Sequence, residues 1–120
     1  MNELSAGEGT DAAALELLHE PLPAASVVSG MPTTATLPLA TVGTAPDHGV
    51  EFGVWEMTPG TATDTEADEV FVVLSGRATI RFISPALPTL EVGAGSVVRL
   101  AAGMQTEWTV TETLRKVYVA

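Results

Sequence analysis

From residue 50 onward, apolar and polar positions alternate over short runs broken by glycine or proline. A period of two marks strands that bury one face. On this pattern Val50–Met57 forms a strand closed by a turn at Pro59 and Gly60. Glu69–Leu74 forms the next, and a tight hairpin at Ser75 and Gly76 leads into Arg77–Ile83. Pro85 and Pro88 mark a loop, after which Leu90–Val92, Ser96–Leu100, Thr106–Val110 and Leu114–Val119 follow as short strands. Upstream, Ser26–Ser29 and Ala35–Val42 read as extended edge segments. Many short strands, short turns and little helix predict an all-β antiparallel sandwich or barrel.

The alternation also assigns faces. If Glu69 points inward, so do Phe71 and Val73. Thr106, Trp108 and Val110 share a face opposite the polar Glu107 and Thr109, so Trp108 faces in. Lys116 and Tyr118 share a face opposite Arg115 and Val117, and the pattern leaves open which of Arg115 and Lys116 is inward. Residues 1–25 read as an acidic arm and 26–120 as the barrel domain. In the arm, Thr10 is placed to cap a short helix over Asp11–His19, with Leu15, Leu17 and Leu18 as its apolar side and Pro21 and Pro23 as its end. So short a helix must dock to persist.

Composition narrows the function classes. The net charge is −10, and residues 1–70 hold twelve carboxylates and no Lys or Arg. A surface this acidic disfavours phosphate backbones and anionic membranes, so neither nucleic acid nor membrane is an expected partner. The chain has no cysteine, which removes disulfides, thiolate metal ligands and thiol nucleophiles. No apolar run is long enough to span a bilayer, and Met1–Glu20 reads as neither a secretory signal nor a transit peptide. A cytoplasmic protein is expected. Gly93 and Gly95 lack the third glycine and the helix of a nucleotide loop, and no Ser–His–Asp arrangement is present.

Trp55 through Gly60, Asp68 through Gly76, Val92 through Gly95, Ala102-Gly103, Trp108 and Glu112 through Tyr118 together resemble the small cupins grouped with ureidoglycine aminohydrolase and the ethanolamine-utilisation cupin. The likeness covers residues 26–119 and implies a double-stranded β-helix, the cupin jelly-roll barrel, with ligands held inside and a homodimer as the usual assembly. The arm would then pack across a partner's sheet and cover an exposed strand edge. Metal-binding cupins carry two histidines before a glutamate and a third histidine in a second motif. Glu69 and Gly76 fit the first motif, but Thr63 and Thr65, or Ala62 and Asp64, stand where its histidines belong. In the second motif Thr106 stands at the histidine position. Glu69 with Thr63, Asp64, Thr65 and Thr106 is a poor donor set for Fe, Zn, Mn or Ni, so the metal site is read as degenerate and a divalent metal is disfavoured.

The run Asp64, Glu66, Asp68, Glu69 offers oxygen ligands for a hard cation, but a solvated loop before a strand is the favoured reading of Asp64, Glu66 and Asp68. Glu69 is the candidate catalytic residue. A structural ion pair with Lys116, Arg81 or Tyr118 is the equal alternative, since a buried carboxylate must be paired, hydrogen-bonded or protonated. Trp55, Phe71, Trp108 and Tyr118 either line a ligand cavity or fill the core. Arg81, Thr106 and Lys116 complete the candidate ligand-binding set. His48 reads as a turn residue rather than an acid–base group, and His19 as part of the arm's helix end. Three classes follow: a cupin that binds a small polar metabolite, a cupin enzyme that is metal-free or weakly metal-dependent, and a structural module.

Overall fold

The computed structural model describes residues 3–43 and 49–120. His48 lies outside the described residues. The strands are β1 (Glu20–Pro21), β2 (Val27–Ser29), β3 (Thr33–Val42), β4 (Val50–Met57), β5 (Gly60–Thr65), β6 (Glu69–Ser84), β7 (Leu90–Gly93), β8 (Val97–Leu100) and β9 (Gln105–Val119). A single 3-10 turn, Ala24–Ser26, precedes β2. Every pairing is antiparallel.

The two long strands, β6 and β9, pair along most of their length and belong to two leaves at once. The first half of β6 and the second half of β9 lie between β8 and β4. The other halves lie between β7 and β5. One leaf therefore runs β1-β3-β4-β9-β6-β8 and the other β2-β5-β9-β6-β7. Trp55 and Phe71 of the first leaf meet Trp108 of the second at ring-centroid distances of 5.7 and 5.6 Å. The leaves thus close face to face as the expected all-β jelly-roll barrel.

The predicted hairpin at Ser75 and Gly76 is not formed. The strand continues through both residues, because each half of β6 finds its partner on β9. The ladder slips between Val73 and Ala78, and Gly76 takes a φ of +92° there. A Cβ on Gly76 would lie 2.0 Å from the Thr113 carbonyl oxygen. Glycine is required on both counts, and the bulged ladder supplies the bend between leaves. The strands predicted at Thr106–Val110 and Leu114–Val119 are likewise one element, β9. β5 has no counterpart in the sequence reading, because Gly60–Thr65 carries no large apolar residue.

The arm also departs from expectation. Residues 11–19 contain one turn and no helix. Asp11 caps it through the Ala13 N–H at 3.0 Å. The Ala12 and Ala13 carbonyls, which a helix would use for its next turn, instead accept from Arg115 Nη1 at 3.0 and 3.3 Å. His19 contacts Thr33 Oγ1 at 2.9 Å and Glu56 Oε1 at 2.7 Å, while Arg115 Nε donates to Glu56 Oε2 at 2.6 Å. Leu4 N–H donates to the Leu39 carbonyl and β1 pairs with β3, so the arm lies along the sheet of its own chain. Leu15 and Leu17 are half-buried, whereas Leu18 points to solvent. Burial raises the Glu56 carboxyl, but Arg115 and His19 outweigh it and hold the group below the usual glutamate range.

The core is centred on Phe71, Ile80, Leu100, Leu114 and Val73. Each full burial of such a side chain contributes about 1.5–3 kcal/mol. No helix among the described residues is long and apolar enough to cross a membrane.

Gly76→Ala must open the corner against Thr113. It is expected to lower unfolding stability by at least about 2 kcal/mol, read from urea denaturation. A loss below about 0.5 kcal/mol, the range of ordinary surface changes, would show that the corner relaxes freely.

Candidate functional site

Four strands send chemistry into the barrel. β4 supplies Glu51 and Trp55, β5 supplies Asp64, β6 opens with Glu69, and β9 contributes Thr106, Trp108, Lys116 and Tyr118. Residues directly opposite in an antiparallel pair share a face. Ala62 lies opposite Trp108 and Asp64 opposite Thr106. This register decides between the two histidine-equivalent pairs: Ala62 and Asp64 take the inward positions. A methyl and a carboxylate stand where two imidazoles are expected.

Lys116 is the inward cation. Its side chain is 6% exposed, and its Nζ donates to Glu69 Oε2 at 2.7 Å. The same ammonium lies 4.6, 4.2 and 4.9 Å from the ring centroids of Trp55, Phe71 and Trp108. Ring faces attract cations through their quadrupole, so carboxylate and rings together replace the lost hydration of the ammonium. Arg115 is also buried, but on the outer face under the arm.

Glu66 overturns its reading as a solvated loop residue. It is 9% exposed, and its Oε2 accepts from Thr106 Oγ1 at 2.6 Å and Trp108 Nε1 at 3.0 Å. The Trp108 N–H is shared with Thr106 Oγ1, also at 3.0 Å. Asp64 is exposed at the rim. Partial burial and then the neighbouring Glu66 charge push its carboxyl up to about 6. Asp68 is the solvated loop residue expected, accepting from the Ala102 N–H and from Arg99. Tyr118 donates to Glu51 Oε2 at 2.6 Å, and burial and this bond move its phenol well above the ordinary range. Gly53 makes room for that ring, since a Cβ there would lie 2.3 Å from the Tyr118 oxygen.

These groups border a cavity of about 440 Å³, within the size of small-molecule sites. Trp55, Trp108, Lys116, Tyr118, Asp64, Glu66 and Glu69 reach its wall, joined by Thr34 and Thr36 of β3 and Thr63 of β5. Phe71 and Thr106 lie behind the wall, fully buried. Arg81 is not brought to the cavity: it lies on the outer face and pairs with Glu107 at 3.1 Å. Thr65 is exposed and outside the wall. Glu51 and Glu66 are missing from the sequence-derived set. The polar Thr106–Trp108 face was the one signal that a buried acceptor stood opposite.

The donor set does not fit a resident transition metal. Glu69 Oε2 is engaged by Lys116, and the inward equivalents of the motif histidines are Ala62, Asp64 and Thr106. Among the described residues no group of three His, Cys, Asp or Glu side chains is placed to hold a metal ion.

Two mutational outcomes follow. Lys116→Met strands the Glu69 carboxylate and is expected to cost about 3 kcal/mol, whereas Lys116→Met/Glu69→Met recovers most of that loss. Equal loss in single and double variants would assign the pair to packing alone. For Asp64, the unfolded chain releases its proton near ~3.9, while the folded protein keeps it to about 6. Between these values the folded state binds more protons, so raising the pH costs stability. The urea midpoint of the wild type should therefore fall relative to Asp64→Asn across that window, with a smaller effect at high salt. Parallel profiles would show an ordinary aspartate.

No curated protein matches the chain. In three dimensions it is similar to a protein of unknown function of the DUF861 family from Pseudomonas syringae pv. tomato. That similarity has a TM-score of 0.72 and 25% identity, over 91% of this chain and 45% of that one. The chain thus spans less than half of that protein's length. It is also similar to the EutQ protein of Clostridium difficile, with a TM-score of 0.60 and 22% identity over 73% of this chain and 67% of that one. A protein of unknown function (DUF1255) from Acidithiobacillus ferrooxidans gives a TM-score of 0.57 at 23% identity, over 95% of this chain and all of that one. The latter two likenesses show the fold alone. Residues 44–118 match the model of the EutQ-like cupin domain, and the chain belongs to that family.

Proposed function

We propose that this cupin binds a small polar organic molecule inside the barrel without a resident metal. The observation that carries the reading is the substitution at its centre. Where metal cupins hold an ion on a motif glutamate, Glu69 here holds the Lys116 ammonium under three aromatic rings. Beside that fixed pair the cavity keeps both apolar wall and polar groups, the combination that binds and orients small ligands. A barrel used only as scaffold has no need of such a cavity, and filling it with apolar side chains would give a more stable core. Glu69, bonded to Lys116, is a positioning group in this reading rather than a metal ligand.

The test joins two measurements. Protein produced with added Mn, Fe, Ni and Zn is expected to carry metal far below one equivalent by mass spectrometry. Thr34→Trp, which projects a ring into the cavity from β3, is expected to abolish metabolite binding seen by ligand-detected NMR while the fold is retained. Stoichiometric metal that disappears in Glu69→Ala overturns the metal-free reading. Ligands that bind the Thr34→Trp protein undiminished overturn the cavity as the site.

A further inference from the structure

We infer that the ligand of this cavity is a small organic cation, an alkylammonium or a related N–H-bearing group, received by Glu66 and Asp64 with its carbon skeleton against Trp55. The inference rests on the cavity reading above and names the chemical class it selects.

The charges around the cavity do not balance. Among the described residues its wall carries the carboxyl groups of Glu51, Asp64, Glu66 and Glu69 and one cation, Lys116. Lys116 is committed to Glu69, and Glu51 accepts from the Tyr118 hydroxyl. Glu66 is the telling residue. Among the described residues no Lys, Arg or His pairs with it, although it is nine-tenths buried. The hydrogen bonds it accepts from Thr106 and Trp108 both fall on Oε2, and its carboxyl group also lies within hydrogen-bond reach of the Asp64 carboxyl. Glu66 and Asp64 both line the cavity, so this carboxyl pair adjoins the space a ligand would fill. Two adjoining carboxyl groups, one of them buried, repel once both are ionised, and a cation entering beside them relieves that cost. Asp64 stands beside Glu66 at the mouth and adds a second acceptor where a cation would enter.

A second feature points the same way. The interior already seats one ammonium on aromatic faces, and Trp55 and Trp108 both border the cavity as well as the Lys116 head. A second organic cation meets the same chemistry: ring faces for its apolar and charged parts, and carboxylate oxygens for its N–H groups. An anionic ligand would meet three carboxylates and a lysine that is already neutralised. A neutral one would leave Glu66 uncompensated.

The experiment uses three four-carbon compounds that differ in charge: n-butylammonium, n-butanol and butyrate. Each is titrated into the full chain at pH 7.5 while the tryptophan indole N–H resonances are followed. Butylammonium is expected to shift these signals saturably at concentrations at least tenfold below those needed for the other two. Asp64→Asn, a rim change that leaves the fold intact by near-UV circular dichroism, and separately Glu66→Gln, are each expected to weaken that binding tenfold or more. Butyrate or butanol binding as well as butylammonium overturns the charge class and leaves the cavity as a site. Wild-type binding that survives both substitutions overturns the assignment to Asp64 and Glu66. Silence from all three compounds overturns the cation class, while the cavity itself is judged by the Thr34→Trp result.

Discussion

The antiparallel pairing of β6 with β9 is the constraint on which the rest depends. Both strands run through the two leaves, so their shared bend sets how the leaves face each other. The bend needs backbone in a left-handed conformation and close enough to Thr113 to exclude any side chain, and Gly76 meets both demands. Because the bend falls between Glu69 and Ile80 on one strand and between Trp108 and Lys116 on the other, residues far apart along each strand converge across the barrel. The contact of Trp108 with Phe71 and with the Lys116 ammonium is a direct product of that fold-over.

Inside the barrel, electrostatics and packing act on the same atoms. A buried ammonium is tolerated only when its lost hydration is replaced. Here one carboxylate supplies a charge-assisted hydrogen bond and three rings supply their negative faces. The pair is specific as well as stabilising, because Lys116 fixes the Glu69 side chain and the rings fix Lys116. The Glu66–Thr106–Trp108 group is the polar counterpart on the other leaf, built from an acid, a hydroxyl and an indole instead of an ion pair. The outer face repeats the logic at the arm, where Arg115 and Glu56 hold backbone carbonyls and a histidine in place.

Much of the barrel was legible in the sequence because strands with one buried face announce themselves by alternation. Val50–Met57 matches β4 at both ends, and the inward faces of Phe71, Val73, Thr106 and Trp108 are those observed. Two adjacent tight-turn residues look the same whether the chain reverses or bends, so Ser75 and Gly76 read as a hairpin. β5 was illegible because its inward positions, Ala62 and Asp64, are small or charged, and the pattern that marks a strand is a contrast between faces. The arm misled for a different reason: leucine spacing suits a helix, but Arg115 competes for the carbonyls that would build it.

The sequence by itself determined the all-β class, the family likeness, the loss of the metal histidines and the survival of Glu69, since all of these reside in residue identity and local period. The tertiary structure decided which neighbours those residues meet. It chose Lys116 over Arg115 as the inward cation, drew Glu66 from an apparent surface run into the wall, and sent Arg81 outward. The two cations follow from strand register and Glu66 from loop hydrogen bonds to Gly103 and Met104; both pair residues dozens of positions apart and leave no trace in the local pattern.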